Sequence, residues 1–126
     1  MSDTLNADLD AGRSIAPSFY EDALERREGI AERAQGWFEQ FDLLACLPAP
    51  GAAPRRLDIT GDPSFCTLWS LTGFPAITLP IGLSSAGLPY GLQLAAPAAH
   101  DAALLRAARW CESVLAFRTA PPLTSA

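Results

Sequence analysis

Apolar residues recur at three- and four-residue spacing from Phe19 to Phe41. Phe19, Tyr20, Ala23, Leu24, Ile30, Ala31, Ala34, Trp37, Phe38 and Phe41 take one side, and Asp22, Arg26, Glu28, Glu32 and Arg33 take the other. Ser18 followed three residues later by Glu21 has the form of a capping box, so the pattern predicts a first helix over about 19–40. Gly29 and Gly36 each weaken it by roughly 1 kcal/mol relative to alanine, so the aromatic stripe needs a surface to pack on. The run Asp42–Leu47 is short, apolar and closed by Pro48 and Pro50, which fits a buried strand. A proline- and glycine-rich loop then runs to Arg56. Asp62 and Pro63 give a cap and a first-turn proline, and Gly73 gives a stop, bracketing a helix over about 63–72. Phe65, Cys66, Leu68, Trp69 and Leu71 cover nearly its whole circumference, the pattern of a helix buried on most sides.

From Pro75, PAITLPIGL and PYGLQLAAP flank SSAG, with Gly87 placed for a positive φ, and read as a hairpin. Pro80 has no N–H for a ladder, so its strand is expected to kink or lie unpaired there. A last helix is expected from Asp101, its cap, through Leu104, Leu105, Ala108, Cys111 and Leu115, with Leu104 and Leu105 facing the sheet. Strand, buried helix and strand make a crossover unit, expected to be right-handed and parallel with an antiparallel neighbour. The fold class is α/β: a mixed sheet of about three strands packed by about three helices. Residues 1–17 are expected as a flexible lead, 18–117 as the folded segment and 118–126 as a flexible tail.

Composition narrows the function. The 126 residues are 49% hydrophobic and 18% charged, enough for one packed core. A formal net charge of −5 comes from 14 acidic side chains against nine basic ones, all arginine, which disfavours nucleic acid as a partner. Proline breaks every apolar run well short of the roughly 20 residues that span a bilayer, and no secretory signal is evident in MSDTLNADLDAGR. Cys46, Cys66 and Cys111 are widely spaced, with His100 as the only imidazole, so neither a zinc site nor a disulfide framework is expected. They read as buried free thiols in a reducing cytoplasm. No cofactor is expected.

The stretch from Leu71 to Glu112 combines G-x-P-A-x-x-x-P-x-G (Gly73 to Gly82), G-L-P-x-G-x-Q (Gly87 to Gln93) and an acidic cap before L-L at Leu104 and Leu105. With the upstream helix and FDLLACLPAPGAAP, it resembles the C-terminal part of the amidase-signature family over about residues 5–117. The resemblance implies a partial amidase-signature fold and a parent reaction in which a carboxamide C–N bond is hydrolysed. It also implies a serine nucleophile, a second serine in a cis peptide bond and a lysine base, all from glycine- and serine-rich segments N-terminal to the part represented here. This chain has no lysine and no such run. No catalytic residue is therefore assigned. In the family, the region matching Asp62 to Trp69 borders the substrate side, which makes Thr67 and Trp69 the candidate binding residues.

Three readings follow. The chain is the C-terminal portion of an amidohydrolase, inactive alone; or it is a non-catalytic amidase-like binding or assembly module; or it is a small hydrolase assembled from Ser64 or Cys66 with His100 and Asp58 or Asp62. The elements carry more apolar surface than three strands can cover, so the expected partner is a complementary N-terminal amidase portion or a second copy of the chain.

Overall fold

The computed structural model describes residues 3–56 and 58–120. Four helices and three strands follow one another as α1 (Asp3–Arg13), α2 (Pro17–Trp37), β1 (Leu44–Cys46), α3 (Ser64–Thr72), β2 (Ala76–Leu83), β3 (Pro89–Ala95) and α4 (Asp101–Leu115).

The N-terminal lead, expected to be flexible, forms α1. Asp3 in its first turn and Arg13 in its last oppose the helix dipole, and Arg13 donates to Asp10 one turn back at 2.9 Å. Helix α2 begins two residues earlier than expected because Pro17, with φ preset and no N–H to satisfy, takes the first helical position after Ala16. Ser18 therefore lies inside the first turn and makes no capping bond. The expected tail from 118 lies largely outside the described residues, and 116–120 carry no regular structure.

Helix α3 ends at Thr72 as expected but starts at Ser64, one residue late, with Pro63 rather than Asp62 in the cap position. The Asp62 carboxylate accepts the Ser64 N–H at 2.8 Å, and Gly73 ends the helix at φ 75°, its N–H bonding to the Trp69 carbonyl at 2.9 Å. The β2–β3 hairpin turns through Ser84–Leu88 with Gly87 at φ 76°. Its ladder shifts register between Pro80 and Gly82, so the kink expected at Pro80 is a bulge with Ile81 as the extra residue.

The sheet order is β1-β3-β2. Strands β1 and β2 run the same way, as a crossover requires, but the hairpin partner β3 lies between them and pairs antiparallel with both. Both ladders are therefore antiparallel, and among the described residues no direct parallel pair forms, so the sheet is antiparallel rather than mixed. On one face Leu79, Leu94 and Ala96 pack against Leu104 and Ala108 of α4. On the other, Ala95 joins Trp69, Phe74 and Ala34 of α2, flanked by Leu44, Leu68 and Phe38. The Phe38 and Phe74 rings meet at 5.8 Å between centroids.

Two side-chain expectations are corrected. Leu104 and Leu105 do not share a face: adjacent helical residues point about 100° apart, so Leu104 is 3% exposed and Leu105 58%. Helix α3 is not buried on most sides. Trp69 is its single buried residue, and Phe65 and Leu71 are open to solvent, because the sheet and α2 cover only one side of it.

Candidate functional site

The site begins with strand register. Cys46 of β1 and Thr78 of β2 both pair with Gln93 of β3, placing three side chains in a row on the face that α3 covers. The next residue pairs along the strands, Leu44 with Ala95 and Ala76 with Ala95, continue that face toward the helix stop at Gly73. Helix α3 crosses above, and a cleft of about 410 Å³ opens between them, lined by Cys66, Trp69, Ser70, Gly73, Phe74, Ala76 and Gln93.

Gln93 is 5% exposed and is the buried polar residue of this core. The Cys46 S–H donates to its carbonyl oxygen at 3.4 Å, and its amide nitrogen donates toward Cys66 Sγ at 4.0 Å. The Cys66 S–H in turn donates to the Pro48 carbonyl at 3.4 Å. Burial pushes the Cys46 thiol up from its ordinary value. Repulsion from Cys66 adds to that shift, and the Trp69 indole opposes it. The indole Nε1 is nevertheless buried without closing a hydrogen bond.

Thr67 and Trp69 stand two residues apart on α3 and so point to nearly opposite sides. Trp69 turns into the core and lines the cleft, whereas Thr67 is exposed and its hydroxyl donates back to the Pro63 carbonyl at 2.9 Å. The helix does not bring them to a single edge. Gln93 and Cys46 were missed as site residues. The G-x-Q spacing of the hairpin held Gln93 in view, but its meeting with Cys46 depends on a register that no local pattern encodes. All three cysteines are free. Cys66 is exposed, and Cys46 and Cys111 are half-buried, which corrects the expectation of burial. Cys66 is exposed because it stands in the open cleft between α3 and the sheet.

The residues of the small-hydrolase reading are not joined. The His100 ring bonds to the Ala98 carbonyl at 2.9 Å in its own loop, not to Ser64 or Cys66. Asp58 is engaged by the Arg56 guanidinium, which bonds it at 2.9 Å through Nε and holds its carboxyl below the usual range. Asp62 is occupied by the Ser64 backbone N–H, which likewise lowers it. Among the described residues no three histidine, cysteine or carboxylate side chains gather as a metal site would require. No described helix is long and apolar enough to cross a membrane.

A second cavity, of about 380 Å³, lies between the proline-rich loop and the start of β3, lined among others by Pro48, Pro50, Asp62, Tyr90 and Gly91. Gly91 is required there: a Cβ would stand 2.6 Å from Thr78 Cγ2 and 2.8 Å from Pro48 Cγ.

Comparison with known proteins places this architecture. The chain is 35% identical over 114 residues to one subunit of the glutamyl-tRNA(Gln) amidotransferase of Rhodopirellula baltica, covering 85% of the chain and 23% of that protein. It is 39% identical over 98 residues to the same component of the Moorella thermoacetica amidotransferase, covering 72% of the chain and 20% of the relative. The chain thus spans about a quarter or less of the length of these relatives. Among solved structures, an amidase superimposes with a TM-score of 0.81 at 24% identity, over 90% of this chain and 29% of its own. A 6-aminohexanoate cyclic dimer hydrolase with bound substrate gives 0.76 at 24% identity, over 88% and 27%. At that identity the likeness is one of fold. The amidase family's sequence profile matches residues 2–105, most of the chain, and the chain belongs to the amidase family.

Proposed function

We propose that this chain is the C-terminal portion of an amidohydrolase, whose whole form hydrolyses a carboxamide C–N bond, and that the chain alone is catalytically inert. The observation that carries this reading is chemical. A chain of the amidase family with no lysine among 126 residues and no glycine- and serine-rich run has no base for a serine nucleophile. The remaining nucleophiles have no relay, since His100 is turned to its own loop and Asp58 and Asp62 are occupied. The name of the relatives, a glutamyl-tRNA(Gln) amidotransferase, and the amidase family itself support chemistry at an amide bond. Trp69, and Thr67 at the opposite edge of α3, are proposed to border the substrate side of the assembled enzyme, and a reducing cytoplasm suits three free thiols.

The proposed partner is a complementary N-terminal amidase portion, with self-association as the alternative way to cover the same surfaces. The surfaces such a partner would cover lie open: α3's outer side faces solvent, and every described residue of 5–23 is exposed. The test is turnover. Purified chain offered a simple arylamide should release no product above the background rate. Product release that disappears on Ser64→Ala or Cys66→Ala replacement would overturn the proposal, because a contaminating hydrolase would survive those changes.

A further inference from the structure

The two outer edges of the sheet are built differently, and hydrogen-bond alternation shows what each leaves open. The Ala96 N–H donates to the Pro75 carbonyl at 3.1 Å, so in the β2–β3 register the bonded pairs are Ile77 with Leu94 and Leu79 with Leu92. Ala76, Thr78 and Pro80 therefore turn their backbone groups away from β3. On β3 the backbone groups of Gln93 and Ala95 face the other way, toward Cys46 and Leu44, which leaves the N–H and C=O of Ala45 pointing outward from β1. Among the described residues no strand lies beyond either edge. The β2 edge is guarded: Pro80 has no N–H to offer, and the bulge at Ile81 breaks the line. From Leu43 to Leu47 the β1 edge has neither device. Helix α4 repeats the asymmetry. Leu105, Arg109 and Glu112 stand over β2, beside Ile77 and Leu79. Val114 is half a turn of the helical wheel from Leu105 at about 100° per residue, so with Trp110 it overhangs the β1 side. Ala103, Ala107, Trp110 and Val114 recur at alternating four- and three-residue spacing, the seam of a helix that packs on another helix. Trp110 and Val114 are 67% and 63% exposed, and Ala45, on the same face of the sheet, is exposed as well.

We infer that the β1 edge and the Trp110–Val114 flank of α4 form one docking surface, and that its occupant is a strand-and-helix unit of the complementary N-terminal amidase portion. The inference rests on the reading of this chain as the C-terminal portion of an amidohydrolase, and the chain covers only 29% of the solved amidase on which it superimposes. Geometry selects this occupant over a second copy. Helix α4 lies over β2 and β3, where Leu104 and Ala108 meet Leu79 and Leu94, and it leaves the strip over β1 open. With strands about 4.8 Å apart, a helix laid over β1 and one added strand stands about 10 Å from α4, the distance at which helices pack. It would meet Trp110 and Val114 directly. A second copy pairing β1 with β1 would set the two α4 helices about four strand spacings apart, roughly 19 Å, with nothing filling the strip between them. Both flanks would stay bare.

The test is capture. The probe is the Rhodopirellula baltica amidotransferase subunit lacking the 114-residue stretch that this chain matches, co-expressed with the tagged chain and recovered with it. In the recovered complex, hydrogen exchange at the Ala45 amide should be slowed and that at Ala76 unchanged. Ala45→Pro and Ala76→Pro each remove one outward N–H and no bond to β3. The first should weaken capture by more than about 10-fold, and the second should leave it unaltered. Because a proline can unfold a strand, Trp110→Ser combined with Val114→Ser, both at exposed positions, carries the same expectation as Ala45→Pro. Leu105→Ser on the opposite flank is its control, and each variant is checked for cooperative urea unfolding. No capture of the unaltered chain would overturn the inference together with the reading on which it rests. Capture indifferent to both Ala45→Pro and the serine pair would overturn the inference and leave that reading standing. Exchange at Ala45 that slows as the concentration of the chain alone rises would assign the edge to a second copy, and so would also overturn it.

Discussion

Gly91 offers a perturbation whose size is set by two contacts. Its φ is not in the left-handed region, so alanine is not excluded by backbone conformation. The obstacle is the added Cβ, which would sit 2.6 Å from Thr78 Cγ2 and 2.8 Å from Pro48 Cγ. Neither neighbour yields easily: Thr78 is β-branched and stiff at χ1, and the Pro48 ring is tied to its own backbone. Overpacking of this kind costs about 1–3 kcal/mol. Removing a glycine from the unfolded chain returns about 0.4–1 kcal/mol. The contact should win, leaving Gly91→Ala destabilised by about 1–2 kcal/mol. Urea unfolding reads this as a lower midpoint at unchanged slope. Thr78→Ser deletes the offending methyl and keeps the hydroxyl. Because Thr78 is exposed, that change alone should stay within about 0.5 kcal/mol, while in the Gly91→Ala background it should restore part of the loss, a coupling of about 0.5–2 kcal/mol. An alanine variant as stable as the parent, or a double variant with no coupling, would refute the steric account.

Other outcomes follow from the same structure. Leu104→Ala should cost about 2–5 kcal/mol and Leu105→Ala less than about 0.5, a contrast in thermal unfolding that reports which residue α4 turns inward. Asp62→Ala should lower the denaturation midpoint at neutral pH. Since the Ser64 N–H depresses the Asp62 carboxyl, its contribution is full above its unfolded value near 3.8 and is lost as pH falls through the lower folded value, so the parent and the variant should converge in acid. Maleimide labelling with peptide mapping should find Cys66 modified first. Labelling of Cys46 should need higher pH than a free thiol, because burial and the Cys66 charge raise it.

What the sequence disclosed was local. Gly73 and Gly87 marked chain reversals because only a residue without Cβ enters their φ values of 75° and 76° freely, and both stand where the residue pattern places them. Asp62 announced α3 through a bond to a residue two positions away. The failures are non-local, or contests between adjacent signals. Ser18 has the spacing of a cap, but Pro17 before it claimed the first helical position. The 11-residue α1 is polar on average and short enough to be marginal alone, so it reads as a polar lead. Strand order is not written in periodicity, so β3's place between β1 and β2 was out of reach, and with it the meeting of Cys46, Gln93 and Thr78. Leu105, apolar and next to a core residue, looks like core until the helical turn is set.

The uncovered apolar residues lead to the prediction about association. Phe19 and Tyr20 are 65% and 61% exposed in the first turn of α2, preceded in the chain by the exposed Leu9 and Ile15, and Phe65 and Leu71 are exposed on α3. On β2, the residues facing the α3 side, Ala76 and Thr78, are also exposed, so the sheet continues beyond the helix meant to cover it. Single exposed leucines need no explanation, but contiguous patches rimmed by charge mark surfaces that are covered in use. At roughly 25 cal/mol per Å², a few hundred Å² of such surface gives several kcal/mol of drive toward burial, comparable with the whole stability of a small domain. An arm of helix with few tertiary contacts is marginal in water, since helices shorter than about 12–15 residues gain most of their stability from packing. Sedimentation velocity across a range of concentrations should therefore show growth in mean mass for the chain alone. Substituting Phe19 and Tyr20 by serine should reduce that growth while leaving the unfolding of the sheet unchanged, because neither residue belongs to a buried cluster. A compact monomer at every concentration, unfolding in one cooperative step, would mean that these surfaces need no partner and would favour the reading of the chain as a self-sufficient binding module.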